Sequence, residues 1–316
     1  MKMAQISVER AGLKFLPVEK VLGGYLLLTG LLLLSKFGTL ERATSHLILR
    51  GLVLVVILLL AYFSEPWKIK TLRILWPLAL LPYLYSETDF LNNILFTRNL
   101  DPFFSDLEFA VFQSQPSLLF SARFPSNAFA EIMYLGYVSY YFMILLVPVA
   151  MYFFHNQGQI ERVSFILIHS FLLYYMIYII LPVGGPQFYF VDSAMDLPEG
   201  YLFGPLLRFI QKSFEGATAA FPSSHISICL MLIWIAYHHV RPLFLYLLPI
   251  SILLMFSTVY IQAHYVIDIL AGIAVTPIFY VFSERMYAFL MRKRIKEHYL
   301  LNGGYQRGSM HPGKMK

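Results

Sequence analysis

Cysteine is almost absent from this sequence, and charged residues are scarce. Cys229 is the single cysteine among 316 residues, which excludes an intramolecular disulfide and a metal site built on several thiolates. Asp, Glu, Lys and Arg make up 13% of the chain, whereas hydrophobic residues make up 58%. Soluble domains have about 25% charged and about 45–50% apolar residues, so the composition indicates an integral membrane protein.

The net charge of +6 does not indicate a nucleic-acid partner. Lys and Arg lie near the two ends and in short stretches between apolar runs, where they set membrane topology. The N-terminal region has no short apolar segment followed by a small-residue cleavage site, so we expect a retained span rather than a cleaved signal peptide. We expect no nucleic acid, no metal ion and no other cofactor.

Eight largely apolar runs approach the length of about 20 residues that a membrane helix needs. The predicted fold is therefore all-α, a polytopic transmembrane helix bundle of about eight spans. The third run is short and contains Pro77 and Pro82, but counting it leaves Lys and Arg concentrated on the side of the N-terminus, which predicts that both termini are cytoplasmic. The runs are residues 16–37, 46–63, 71–85, 132–154, 163–183, 223–239, 242–262 and 265–282.

We divide the chain into N-terminal membrane helices (residues 1–85, the third helix opening the core), a catalytic membrane core (residues 86–284) and a basic cytoplasmic tail (residues 285–316). Inside the core, residues 86–130 and 184–221 are predicted to be long connections on the outer face. Amphipathic stretches within them are expected to lie along the membrane interface. The chain from Asn302 onward, rich in Gly, Lys and Met, is expected to be disordered.

Three polar clusters stand at the predicted outer ends of membrane helices, where such residues mark function. The first is FPSSHIS, Phe221–Ser227, in which Pro222 is predicted to open a helix with Ser223, Ser224 and His225 in its first turn. The unpaired N–H groups and partial positive charge of a helix N-terminus bind anions. This cluster predicts a phosphate site.

The second cluster is STVYIQAHYVIDILAG, Ser257–Gly272, in which His264 and Asp268 are four residues apart and predicted to share a helix face. A carboxylate there accepts from one ring nitrogen and leaves the other free to attack. The third is LPVGGPQFYF, Leu181–Phe190, whose glycines break a helix at membrane depth, as happens where backbone lines a protected cavity. The topology places all three clusters at the face of the periplasm, exterior or lumen.

Each cluster also has a purely structural interpretation. Ser223 and Ser224 are suited to cap a helix, and His264 with Asp268 is suited to form a buried hydrogen-bonded pair. The residues alone do not select which histidine is the nucleophile. Their occurrence together on one face favours the catalytic interpretation.

The motifs and their order resemble the type 2 phosphatidic acid phosphatase superfamily. FPSSH is similar to its second motif, usually Pro-Ser-Gly-His, with Ser224 in the glycine place, and HYVID is similar to the end of its third. The resemblance implies a six-helix core, here preceded by two extra helices, and a phosphohistidine intermediate. It implies that His264 is the nucleophile, that His225 protonates the leaving oxygen, that Asp268 holds His264, and that Ser223 binds phosphate.

Two departures from the family pattern bear on the substrate. The third motif usually begins Ser-Arg but here begins Ser257-Thr258, and the first usually supplies Lys and Arg but here offers Gln187. A phosphate monoester carries about −1.5 to −2 charges and is best held by guanidinium groups, whereas a diester carries one. Ser223, Ser224, Gln187 and Thr258 are therefore the predicted phosphate ligands, and we favour transfer of a phosphodiester head group between lipids.

The pattern is similar to the branch that contains fungal inositol phosphorylceramide synthases, which implies a phospholipid donor and a ceramide-like or other lipid alcohol as acceptor. The main alternative is a lipid phosphate phosphatase, in which a cation from the outer loops restores the missing charge. A transporter of lipids or anions, a vanadate haloperoxidase and a catalytically inactive binding protein are further alternatives. The candidate loop cations are Arg98, Arg123, Arg208 and Lys212.

Overall fold

The computed structural model describes residues 14–35, 37, 42–62, 67–96, 98–154, 156–191 and 197–303, and these contain helices and no strand. The N-terminal part has α1 (Pro17–Ser35), α2 (Ala43–Tyr62), α3 (Trp67–Leu75), a 3₁₀ segment (Trp76–Leu80) and α4 (Leu81–Leu95). The rest has α5 (Asp101–Phe112), α6 (Pro116–Arg123), α7 (Asn127–Phe154), α8 (Gln157–Ile180), α9 (Pro186–Tyr189), α10 (Phe203–Phe214), α11 (Ser224–His239), α12 (Arg241–Tyr260) and α13 (Val266–Gly303).

Six described helices are long and apolar enough to cross a bilayer, namely α1, α2, α7, α8, α12 and residues 266–294 of α13. This confirms the predicted all-α polytopic fold. The two other predicted spans correspond to α11, which has 16 residues, and to the segmented helix that α3, the 3₁₀ segment and α4 form. Large apolar side chains such as Leu31 and Phe142 are exposed on the bundle surface, as lipid contact requires.

The segmented helix corrects the boundaries of the third predicted span. Pro77 and Pro82 do not end it, because Pro77 lies in the 3₁₀ segment at residues 76–80, Pro82 lies in the first turn of α4, and α4 continues to Leu95. Residues 86–95, which were predicted to lie in an outer-face connection, are therefore helical. Two of their polar side chains are buried against partners that only the fold supplies: Glu87 pairs with Arg50, and Asn92 donates to Thr218 at 2.6 Å.

Two buried ion pairs join the N-terminal helices to the segmented helix. Arg50 of α2 donates through Nη2 to Glu87 of α4 at 2.7 Å, and Arg73 of α3 donates through Nη2 to Glu19 of α1 at 2.7 Å. A charged side chain inside a membrane is tolerated when it faces the bundle interior and is paired. These pairs therefore hold the first two helices against the rest of the bundle.

Helix α11 lies at the centre of the second half of the chain and packs against α7, α8, α12 and α13. Helix α13 extends past residue 282, its predicted end, because polar residues pair it with α8. Arg162 donates to Glu284 at 2.8 Å, and Arg294 donates to Glu161 at 3.1 Å. Of the tail predicted to be disordered, residues 302 and 303 belong to α13, and residues 304–316 lie outside the described residues.

Candidate active site

The three polar clusters of the sequence meet at one end of the bundle. The segment after α8 bonds to the one before α11, with Ala220 N donating to Val183 O at 2.8 Å. The start of α11 bonds to α13 through Ser223 N and Asp268 O at 3.0 Å, and α9 bonds to the loop after α12 through Gln187 N and Gln262 O at 2.8 Å. Backbone hydrogen bonds thus fix the relative positions of all three motifs.

His264 has both ring nitrogens engaged. Its Nδ1 lies 2.9 Å from the carbonyl oxygen of Ala220, and its Nε2 lies 3.1 Å from His225 Nδ1 and 3.2 Å from Ser223 Oγ. A carbonyl oxygen can only accept, so Nδ1 carries the proton and donates it. Nε2 then bears the lone pair and accepts from Ser223 and His225, which is the protonation state that a nucleophile needs.

The contact between Asp268 and His264 differs from the predicted one. His264 lies in the loop between α12 and α13, and α13 begins at Val266, so the two residues do not share a helix face. Asp268 Oδ2 lies 3.4 Å from His264 Nδ1 but accepts from Tyr265 N at 2.8 Å, like the acidic residue of a capping box. Its Oδ1 is buried and accepts no hydrogen bond from the described residues. Asp268 therefore holds the loop that carries His264, and Ala220 is the closer acceptor for the ring.

The N-terminus of α11 also differs in detail from the expected anion site. Ser223 is the N-cap and accepts from Ile226 N at 3.4 Å, so the helix begins after Pro222 rather than at it. Ser224 N donates to Tyr178 Oη at 3.1 Å. Since these N–H groups have acceptors within the protein, the groups that face His264 Nε2 are the Ser223 hydroxyl and the His225 ring.

Gln187 and Thr258 make other contacts in this structure. The Thr258 hydroxyl donates to Met255 O at 2.9 Å. The side chain of Gln187 donates to Glu215 Oε2 at 3.4 Å and accepts from Gln211 at 3.1 Å. Neither side chain is hydrogen-bonded to His225 or His264 among the described residues, so their role as phosphate ligands stays a prediction.

Two carboxylates of α5 that the motifs did not reveal support the site from outside. Asp101 accepts from Gly184 N and Gly185 N, both at 2.8 Å. Glu108 accepts from the first two N–H groups of α13, at 2.9 and 3.1 Å. Gly185 has a φ of 92°, and a Cβ atom there would lie 2.5 Å from Ala263 O, so only glycine lets this turn approach the His264 loop. Asp101 and Glu108 lie far along the sequence from the N–H groups that they bind, so no local motif marks them.

An apolar cavity of about 500 Å³ leads from the bundle surface to His225. Leu145 lines it and is 55% exposed on the face of α7, so the cavity opens sideways towards the bilayer. Its inner end is polar. The lining includes Leu78, Tyr85, Tyr140, Tyr141, Tyr175, Phe171, Glu215, Ser224 and His225.

Burial lowers the pKa of His264 to about 4, because a charged imidazolium loses its hydration there. The ring therefore stays neutral until the pH falls to about 4. We expect kcat/KM, which reports the free enzyme, to be lost as the pH falls through that value rather than near 6.5, the pKa of an exposed histidine. The measurement is a pH–rate profile, with size-exclusion chromatography at each pH to confirm folding. A fall in kcat/KM near pH 6.5 in folded protein would contradict a role for the neutral ring of His264 in the reaction.

Comparisons with known proteins identify the family of the chain. Residues 108–282 match the PAP2 superfamily, and these residues hold His225, His264 and Asp268. A PA-phosphatase related-family protein of Dictyostelium discoideum is 24% identical over 192 residues. The alignment covers 54% of this chain and 34% of that relative, so the chain spans about a third of its length. No solved structure matches the chain. Since the family match extends over more than half of the chain, the protein belongs to the PAP2 superfamily, as its motifs predicted.

Proposed function

We propose that the protein is a membrane enzyme that breaks a phosphate ester of a lipid through a phosphohistidine at His264, and that it transfers the head-group phosphate to a second lipid alcohol. The observation that carries this proposal is the state of His264, whose Nδ1 is held by Ala220 O at 2.9 Å. The lone pair of Nε2 is thereby directed towards Ser223 and His225. Membership of the PAP2 superfamily supports lipid phosphate chemistry.

The proposed reaction has two steps. In the first, Nε2 of His264 attacks phosphorus, the bond from phosphorus to the lipid oxygen breaks, and His225 Nδ1 gives its proton to that oxygen. In the second, His225 takes the proton of the acceptor hydroxyl, whose oxygen attacks phosphorus and displaces His264. The direct contact of 3.1 Å between the two rings must open to admit the phosphoryl group between them.

The charges around the site favour a phosphodiester. No Lys or Arg is among the described residues that line the cavity, which does contain the carboxylate of Glu215. A monoester with about two negative charges would be repelled there, whereas a diester carries one. A lipid alcohol with its own apolar chains fits a cavity that opens to the bilayer.

One observation favours the alternative of a lipid phosphate phosphatase. Arg208 lines a second cavity of about 320 Å³ together with Gln187 and Gln262, and Gln187 contacts Glu215 at the inner end of the first. A movement of Arg208 towards His264 would supply the cation that a monoester needs. Water would then resolve the intermediate.

The two functions differ in their products. We would incubate the protein in detergent with phosphatidic acid, phosphatidylinositol or phosphatidylethanolamine, each with and without ceramide, and follow lipids and free phosphate by mass spectrometry. Transfer predicts diacylglycerol together with a new lipid that carries the head group, formed only when ceramide is present. Both products are expected to disappear in His264→Ala.

Release of phosphate from phosphatidic acid, also lost in His264→Ala, would instead establish the phosphatase. Equal results for wild type and His264→Ala on every substrate would reject both functions and favour a transport or binding role.

A further inference from the structure

Glu215 is a carboxylate at the inner end of the cavity, close to the proposed proton donor. Its Oε1 accepts from Tyr137 Oη at 2.9 Å and from Tyr141 Oη at 3.2 Å. The rings of those two tyrosines pack on His225 with centroid distances of 4.8 and 6.4 Å. The charge of Glu215 therefore lies about one aromatic ring away from the atom that would protonate the leaving group.

The negative charge of Glu215 has no positive partner among the described residues, which form their ion pairs elsewhere. A carboxylate offers about four acceptor positions. Tyr137, Tyr141 and Gln187 occupy three of them, which leaves little capacity to bind the hydroxyl groups of a polyol. An ammonium group needs no vacant lone pair to be attracted by the remaining charge.

Aromatic rings surround the same space. Tyr85, Tyr140 and Tyr141 line the cavity beside Glu215. The faces of aromatic rings attract cations, most strongly when the cation is removed from water. Carboxylate and tyrosines together form a pocket of the kind that binds a primary or quaternary ammonium.

We propose that this pocket takes the positively charged amine of a zwitterionic phospholipid head group, so that the donor lipid is an amino-alcohol phosphodiester rather than an inositol lipid. This inference rests on the proposed function and names its substrate class. With the phosphate at His264 and the amine at Glu215, one negative and one positive charge of the head group meet partners that match them. The neutral net charge of such a lipid also explains how the site operates without the family's usual arginine in the third motif.

The test is binding, measured on His264→Ala so that turnover does not interfere. The probes are dihexanoyl-phosphatidylcholine, -phosphatidylethanolamine and -phosphatidylglycerol, titrated by calorimetry below their micelle concentrations. We expect the two ammonium lipids to bind about tenfold or more tighter than the glycerol lipid, as a charge-assisted contact allows. Adding Glu215→Gln should reduce that preference to about twofold or less without weakening the binding of the glycerol lipid.

Glu199→Gln is the matched control. Glu199 is exposed in the segment before α10, and the substitution removes the same charge as Glu215→Gln. Equal binding of all three lipids, or a uniform loss in Glu215→Gln, would overturn the inference, and the uniform loss would mark Glu215 as structural. If the Glu215→Gln variant does not fold, the inference is judged on whether His264→Ala, which retains Glu215, binds the ammonium lipids more tightly than the glycerol lipid. Activity of the wild type separates the two proposals. Equal formation of diacylglycerol from glycerol and ammonium lipids would contradict the ammonium pocket but support the transferase. Preferred binding of ammonium lipids without any formation of diacylglycerol would support the pocket but contradict the transferase.

Discussion

His264→Ala is expected to lower kcat by about 10⁴-fold or more, because removal of a nucleophile leaves only binding and orientation to assist the reaction. The ring is buried and its Nε2 bears the lone pair, as its bond to Ala220 O shows. Diacylglycerol formation from the donor lipid under single-turnover conditions measures the loss. In wild type, a head-group phosphate labelled with ³²P should be retained on the protein after acid-free denaturation.

His238→Ala is the matched control, since His238 is exposed in the last turn of α11 and lies at the opposite end of that helix from His225. It should keep wild-type turnover and labelling. Label that persists in His264→Ala would identify another nucleophile, and His225 would be the first to test.

His225→Gln is expected to slow the reaction of the natural lipid by about 10² to 10⁴-fold, the usual contribution of a general acid. The loss should depend on the leaving group. With a p-nitrophenyl ester of the same head-group phosphate, the departing phenolate needs no proton, so the burst of p-nitrophenol in the first turnover should fall by about tenfold at most.

Stopped-flow absorbance resolves that burst from the second step, which also uses His225 and should stay slow. The glutamine amide retains a polar group of similar size beside Tyr140, whose ring lies 4.6 Å from that of His225. Equal losses for the lipid and the p-nitrophenyl ester would mean that His225 positions the phosphate rather than protonates the leaving oxygen.

Local signals predicted the helices, and long-range contacts account for what was missed. Apolar length identified the membrane helices. The motifs selected His225, His264 and Asp268 as candidate site residues, and their catalytic roles stay a prediction. The predicted third span ended too early, at residue 85, because Arg50, the partner that stabilises Glu87 as part of a helix, lies in α2. No property of α4 alone discloses that pairing.

The details of the site depend on backbone atoms and on chain segments far apart in sequence. The acceptor for His264 Nδ1 is a carbonyl oxygen of Ala220, and any residue type would offer the same atom. Pro222 indicated a helix start, but the Ser223 hydroxyl caps Ile226 N and moves the start of α11 to Ser224. Glu215 lies between α10 and α11, outside every motif. Its place in the site could not be predicted, because it depends on the contacts with Tyr137 and Tyr141 that the fold creates.

The sideways opening of the cavity beside Leu145 determines how the concentration of a lipid substrate has to be expressed. A substrate that enters from the bilayer is sampled by lateral diffusion, so its relevant concentration is a surface density, the mole fraction of lipid in the membrane or micelle. Adding detergent at constant total substrate dilutes that density and lowers the rate without any inhibition. Rates of variants are therefore comparable only at equal mole fraction, and a KM expressed in molar units describes the preparation as much as the protein.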